Sequence, residues 1–284
     1  MKYIITAIIL LAVYLVFEAL RSANCLRITR CTAALKGLPK ELKGLKIVTL
    51  SDLHEKSFGK HNRRLAEKIA AENPDFIACP GDMHDSNRRS YRSFMELLDS
   101  LEGRFPVYYS PGNHDLRNGD GRSISEAFKR ELQKRGVVCL LNSSEKFKKN
   151  GAELPIYGYI QDLDEKSASN IFHRRLLDIT GEDILLALNE KPQNPALLLA
   201  HDPHQFEAYV QWGAALTLSG HVHGGIVRIP FFGGVFSPHF LFFPRYDAGM
   251  FENKGCKMLI SSGLGPAKIM RLWNRAEIIV LTLE

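Results

Sequence analysis

Residues 46–54 read KIVTLSDLH. An apolar run with Ile47, Val48 and Thr49 stops abruptly at Ser51, Asp52 and His54. Such a run suits a buried strand whose C-terminal end carries polar groups. The same pattern returns in DFIACPGDMHD (75–85) and FPVYYSPGNHD (105–115). Between and after these come HNRRLAEKIAAEN (61–73), SYRSFMELLDSL (90–101) and SISEAFKRELQKRG (123–136), which have helical apolar spacing. Asn62 suits an N-cap and Gly136 a helix stop. Strand, loop and helix repeated three times predict an α/β fold.

The last third continues with PALLLAHDPHQ (195–205), AALTLSGHVHGG (214–225), KMLISSGLG (257–265) and AEIIVLTL (276–283). Shorter strands are expected around VVCLL and LPIYGYI, and a helix near 168–190. With less helix between these strands, a second sheet packed on the first is expected. Five apolar strands end in loops rich in Asp, Asn, His and Gly. In open α/β sheets that edge binds ligands.

GHVHGG places His221 and His223 two residues apart among glycines. In an extended stretch such residues point to the same side. Gly220, Gly224 and Gly225 would allow unusual backbone angles and close approach. Asp52 and His54 repeat the spacing. Together SDLH, GDMHD, GNHD, AHDPH and GHVHGG offer carboxylate, carboxamide and imidazole, and no thiolate. That donor set suits two borderline divalent ions, Mn²⁺, Fe²⁺ or Zn²⁺, and not a structural zinc.

The bulk composition agrees with a folded enzyme. The chain has 284 residues, 45% hydrophobic and 24% charged, which excludes disorder. A net charge of +6 fits an anionic substrate or a membrane surface, and no nucleic-acid partner is expected. Five scattered cysteines form no disulfide framework. YIITAIILLAVYLVF (3–17) is apolar enough for a spanning helix. Residues 1–22 are therefore expected as a membrane anchor or uncleaved signal, 23–44 as a connector and 45–284 as the catalytic domain. Arg21, Arg27 and Arg30, against Lys2, favour a cytoplasmic domain at the cell membrane.

The ordered set D-x-H, GD-x-x-D, GNHD, a lone His after an apolar strand and GH-x-H resembles the calcineurin-like metallophosphoesterases. The anchor, SDLH, HVHGG, FGGVFSP and SSGLG are most similar to the membrane-associated bacterial branch of YkuE and YaeI. That branch resembles the UDP-2,3-diacylglucosamine pyrophosphatases. The resemblance implies a sandwich of two mixed β-sheets flanked by helices. It implies one ion on Asp52, His54 and His223, another on Asn113, His201 and His221, and Asp82 between them. Manganese is the favoured ion.

Two cations about 3.5–4 Å apart would neutralise developing charge and generate a bridging hydroxide for in-line attack. His114, next to Asn113, is expected to protonate the leaving group. Asp85 would orient it and favour the imidazolium; the alternative for Asp85 is a loop cap. Asp115 reads as a structural acceptor, and Asp202 and His204 as outer residues. His84 either touches substrate or faces solvent, and His61, His173 and His239 are ordinary polar residues. Arg88, Arg89 and Arg92 could meet an anion, or else form a solvated helix face. Six of the 16 Phe fall in residues 231–243. They either fill the core or meet acyl chains or a membrane. The expected function is hydrolysis of a phosphodiester or pyrophosphate, lipid-linked in the leading reading. A nuclease, a cyclic-nucleotide phosphodiesterase and a non-catalytic scaffold are the alternatives.

Overall fold

The apolar segments that end in Asp, Asn and His do form strands, and they divide between two sheets. The computed structural model describes residues 1–85, 90–117, 123–161, 179–192, 195–225, 227–229, 231–236, 242–266 and 271–284. The first sheet holds β1 (Arg27–Ala33), β2 (Lys46–Thr49), β3 (Phe76–Cys79), β4 (Val107–Tyr109), β5 (Val138–Cys139) and β14 (Glu277–Leu283), in the order β1-β14-β2-β3-β4-β5. β14 runs parallel to β1 and antiparallel to β2, and β2 to β5 are parallel. The second sheet holds β6 (Ser143–Lys149), β7 (Ala152–Tyr159), β8 (Leu197–Ala200), β9 (Leu216–Ser219), β12 (Gly249–Asn253) and β13 (Cys256–Ile260). Its order is β12-β13-β9-β8-β7-β6, parallel inside and antiparallel at both margins. β10 (Arg228–Ile229) and β11 (Gly233–Gly234) form a small separate hairpin.

Side chains alternate across each strand, so each sheet buries both faces. Ile47, Phe76, Tyr108 and Leu281 of one sheet meet Ile156, Leu197, Leu199 and Leu218 of the other. Val48, Ile77 and Val107 point the other way, into α2 (Arg63–Glu72), α3 (Arg92–Leu101) and α5 (Glu126–Lys134). Leu198, Ala200 and Met258 face α6 (Gly181–Leu188) and α7 (Phe206–Trp212). The result is the expected two-sheet sandwich flanked by helices. It is preceded by α1 (Lys2–Asn24), a helix long and apolar enough to cross a membrane.

Four local expectations change. Residues 23–44, expected as a connector with a strand in LRITRCTAAL (26–35), do hold that strand and are built into the domain. β1 hydrogen-bonds along the length of β14, and Leu38 and Leu42 are buried in the inter-sheet core. Asn62 stands before α2 but its side chain does not cap the helix. Its amide instead accepts from Phe58 N–H (2.7 Å) and donates to the Ser93 carbonyl (2.8 Å), pinning two loops together. SSEKFKK forms the marginal strand β6, which the sequence hides because most of its residues face solvent. Of the helix expected near 168–190, α6 occupies Gly181–Leu188, and residues 162–178 lie outside the described residues.

Candidate metal centre

Six of the seven candidate ligands lie in the loop leaving a strand, where the backbone is unusual, and Asn113 opens the short helix α4 (Asn113–Leu116). Asp52, His54, Asp82, His221 and His223 all have φ between 43° and 70°. This left-handed region is rare for residues with a Cβ, and Asp, Asn and His tolerate it best. The surroundings hold it in place. Asp52 N–H donates to the Gly81 carbonyl (3.1 Å) and His54 N–H to that of Asp82 (3.3 Å). His221 N–H donates to the Asp52 carboxylate (3.1 Å). The extended geometry expected for H-x-H is therefore wrong. The chain has left β9 and turned, and the two rings serve different groups.

His223 joins Asp52 and His54, while His221 joins Asp82 and His201. A third group is His54, Asp82 and His114. Asp82 Oδ2 lies 3.1 Å from His201 Nε2 and 3.7 Å from His54 Nε2. Asp52 Oδ1 lies 3.6 Å from His223 Nε2 and 3.8 Å from His201 Nε2. Asp82 thus stands between the two ligand groups. Its other oxygen, Oδ1, accepts from His114 N–H at 2.7 Å. Glycine is required where the loops touch. A Cβ on Gly220 would fall 2.4 Å from Asp52 Oδ2, and one on Gly112 2.3 Å from Asp82 Oδ1.

The donor chemistry fits cations. Asn113 Oδ1 is buried and has no hydrogen-bond partner, and buried His201 Nε2 faces the carboxylates of Asp82 and Asp52 at 3.1 and 3.8 Å. His201 Nδ1 lies 2.8 Å from the Pro80 carbonyl, which holds a proton there and makes Nε2 the nitrogen that could take a cation in exchange for its own proton. These residues could hold two metal ions.

The electrostatics of the protein groups point the same way. Burial opposes the charge on His201, but Asp82 and Asp52 raise it to about 10. Burial works against ionised Asp82, but His201 and His114 hold it well below the usual carboxylate range. Burial and Asp82 push Asp52 up, although the nearby histidines oppose this. Burial and the neighbouring cationic groups push His223 well down. A proton on His201 thus does what a cation would do there.

His114 departs from expectation. Burial pushes it down to about 4 despite Asp82, so the ring rests neutral and not as an imidazolium. Asp85 bridges Ser90 through the backbone, and its charge acts on His84. His84 is neither exposed nor a surface group. It is buried, with its ring stacked on Phe128 at 5.6 Å. Asp115 is a structural acceptor for the N–H groups of Asp82 (2.7 Å), Gly112 (2.8 Å) and His84 (2.9 Å). Asp202 accepts from His204 Nδ1 at 2.8 Å, and its charge also faces His221. His61 pairs with Glu96 at 3.3 Å, and Arg92 with Glu96 at 2.8 Å. Arg88, Arg89, His173 and His239 lie outside the described residues.

Two supporting residues escaped the sequence reading. Buried Arg271 donates to the carbonyls of Ser262 (2.6 Å), Gly265 (2.7 Å) and Asn274 (2.9 Å). Gly265 N–H in turn donates to the Asp52 carbonyl at 2.6 Å. Asn274 Nδ2 donates to the His223 carbonyl at 2.6 Å, and its N–H to Ser22 Oγ of α1 at 3.3 Å. The segment RLWNR has no periodicity or metal-ligand spacing that would have marked either residue.

Comparison with known proteins adds the family. The model of the calcineurin-like phosphoesterases matches residues 45–225. A zebrafish (Danio rerio) transmembrane protein with metallophosphoesterase domain is 29% identical over 99% of this chain, which spans 62% of that relative's length. A Campylobacter jejuni metallophosphoesterase, Cj0846, is 24% identical, covering 98% of this chain and 69% of the relative. Bacillus subtilis YkuE is 24% identical, covering 87% of this chain and 82% of the relative. The chain belongs to the calcineurin-like phosphoesterase family and is a metal-dependent phosphoesterase.

Proposed function

We propose that the chain is a membrane-anchored dimetal phosphohydrolase. It cleaves a phosphodiester or pyrophosphate of a lipid or cell-envelope precursor, such as UDP-2,3-diacylglucosamine. The observation that carries this reading is Asp82 standing between two ligand groups, with Asn113 Oδ1 buried and unpartnered. Asp52, His54 and His223 would hold one ion. Asn113, His201 and His221 would hold the other, and Asp82 would be shared between them. Manganese suits this set of imidazole, carboxylate and carboxamide, as do iron and zinc. When bound, such a pair supplies positive charge to the phosphoryl oxygens and lowers the pKa of a water toward neutral.

The protein's own groups do the rest. Asp82 sets the separation of the two ligand groups. Neutral Asn113 limits negative charge where an anionic ester must sit. His114 gives a proton to the leaving oxygen. Its neutral resting state follows from burial, and a phosphate beside it restores proton affinity, because a nearby anion favours the imidazolium. Asp85 orients this ring or caps its loop. α1 anchors the domain, in keeping with the transmembrane name of the zebrafish relative. The arginine excess after α1 supports a cytoplasmic side for the domain.

The test is hydrolysis by metal-stripped protein with Mn²⁺ restored, using an aryl phosphodiester and a UDP-diacylglucosamine-type lipid. Asp82→Ala and His114→Ala are run beside it. Metal-dependent turnover lost in Asp82→Ala with both substrates and in His114→Ala with the lipid, together with preference for the lipid, supports the proposal. Two bound ions without turnover of either substrate overturn the substrate assignment.

A further inference from the structure

Four phenylalanines do what apolar rings seldom do. Phe231 and Phe232 are 106% and 75% exposed, and Phe242 and Phe243 are 72% and 63% exposed. Ile229 beside them is also exposed. A contiguous exposed apolar patch marks a surface that meets something else.

The patch is built on a braced support. Phe232 N–H donates to the Ile229 carbonyl at 3.1 Å, closing the β10–β11 tip, and Val235 N–H donates to Val227 O at 2.8 Å. Phe243 N–H donates to Val235 O at 2.9 Å, which brings Phe242 and Phe243 alongside. At the base, Arg228 pairs with Asp247 at 3.0 Å, and Asp247 accepts from Gly234 N–H at 2.7 Å. The hairpin also lies directly on the ligand loop. A Cβ on Gly225 would be 2.6 Å from Gly234 Cα.

The other neighbour of the hairpin is the segment that meets α1. Val227 bridges Leu272, and Arg228 N–H donates to the Leu272 carbonyl at 3.1 Å. The next residue, Trp273, donates from Nε1 to the Tyr14 hydroxyl at 3.1 Å. Tyr14 lies well inside the apolar run. At about 1.5 Å per residue it is roughly 12 Å along the helix from Ser22, whose Oγ accepts from Asn274 N–H. A bilayer that covers the apolar run must therefore reach down to Trp273, at the level where indole rings collect. Exposed Arg245 and Arg275 lie close in sequence to this surface and suit anionic headgroups.

We infer that the Phe231–Phe232 hairpin tip and Phe242–Phe243 are a second membrane contact, seated in the same bilayer that holds α1. The metal centre, whose His223–Gly225 loop carries this hairpin, then opens at the lipid surface. A phosphoester in a lipid headgroup would reach it without leaving the membrane. The inference rests on the reading of α1 as a membrane anchor.

The test uses the full chain in nanodiscs containing anionic lipid. The photoreactive p-benzoylphenylalanine replaces Phe231, Phe242, Leu10 of α1, or Lys148 on exposed β6, one at a time. Covalent adducts are identified by mass spectrometry. Lipid adducts at Phe231, Phe242 and Leu10, at least about tenfold above Lys148, are expected, since one buried ring shifts partition by about that factor. Lipid adducts at Leu10 without adducts at Phe231 and Phe242 overturn the second contact and leave the anchor standing. Chain-to-chain adducts at Phe231 identify a self-association surface and also overturn it. Absence of lipid at Leu10 overturns both the anchor and the contact.

Discussion

The metal-ligand cluster and the aromatic hairpin break the ordinary rule of burial in opposite directions. Asp52 and Asp82 are 0% and 2% exposed, whereas Phe231 is fully exposed. Buried charge and exposed aromatic surface are the two informative departures in a folded protein. Each implies a component outside the chain: cations for the first, an apolar environment for the second. The two regions also differ in how firmly they are built. Left-handed backbone costs on the order of 1–3 kcal/mol at each residue, and persists only where the surroundings over-determine it. The ligand loops meet that condition through Gly112, Gly220, Asp115, Arg271 and Asn274. Among the described residues the hairpin's ion pair lies at its base, and the Phe231 and Phe232 rings at its tip stand exposed.

That contrast can be broken or sharpened by substitution. The largest effect is expected at Asp82. Asp82→Ala should lower kcat/KM by about 10³-fold or more, with metal content falling in elemental analysis, because it stands between both ligand groups. Retained activity and stoichiometry would remove the bridging role. His114→Ala should cost about 10²- to 10⁴-fold with a poor leaving group, and much less with an activated aryl ester. An equal loss for both esters would show that His114 does not donate the proton.

Gly220→Ala should destabilise by about 1–3 kcal/mol in thermal or denaturant unfolding, since its Cβ has no room beside Asp52. A neutral result would mean the two ligand loops are free to separate. Asn274→Ala removes the donor to the His223 carbonyl and should cost about 1–3 kcal/mol, with weaker metal retention during dialysis. Unchanged retention would confine Asn274 to a role in stability. The smallest effect is expected at the other region. Joint Phe231→Ser and Phe232→Ser should change unfolding in detergent by no more than about 0.5 kcal/mol. A loss above about 2 kcal/mol would show that these rings pack on the protein after all.

How much of this could be read in advance differs element by element. KIVTLSDLH, DFIACPGDMHD and FPVYYSPGNHD were legible because strands buried on both faces are near-continuous apolar runs that stop at the polar loop. The candidate ligand positions could be singled out because Asp, Asn and His repeat at those stops, and the family resemblance assigned their expected roles. β6 was not, since a marginal strand takes its hydrogen bonds from β7 and requires little apolar pattern of its own. Asn62 marks a place where the local rule yielded to packing: a cap residue was recruited to bind Phe58 and Ser93 instead. Arg271 and Asn274 were invisible, because their partners are backbone carbonyls far along the chain, and a carbonyl has no letter in a sequence.

The order of residues alone determined the composition of the site, the α/β class and the apolar N-terminal helix, because each follows from local side-chain chemistry and period. Only the tertiary structure decided that the backbone turns left-handed at His221 and His223, that β14 enters between β1 and β2, and that α1 reaches the ligand loop through Ser22 and Asn274. The physical reason is common to all three. Left-handed turns, strand insertion and long-range hydrogen bonds are selected by the packing of distant segments, whose free energy appears only when the chain has closed on itself.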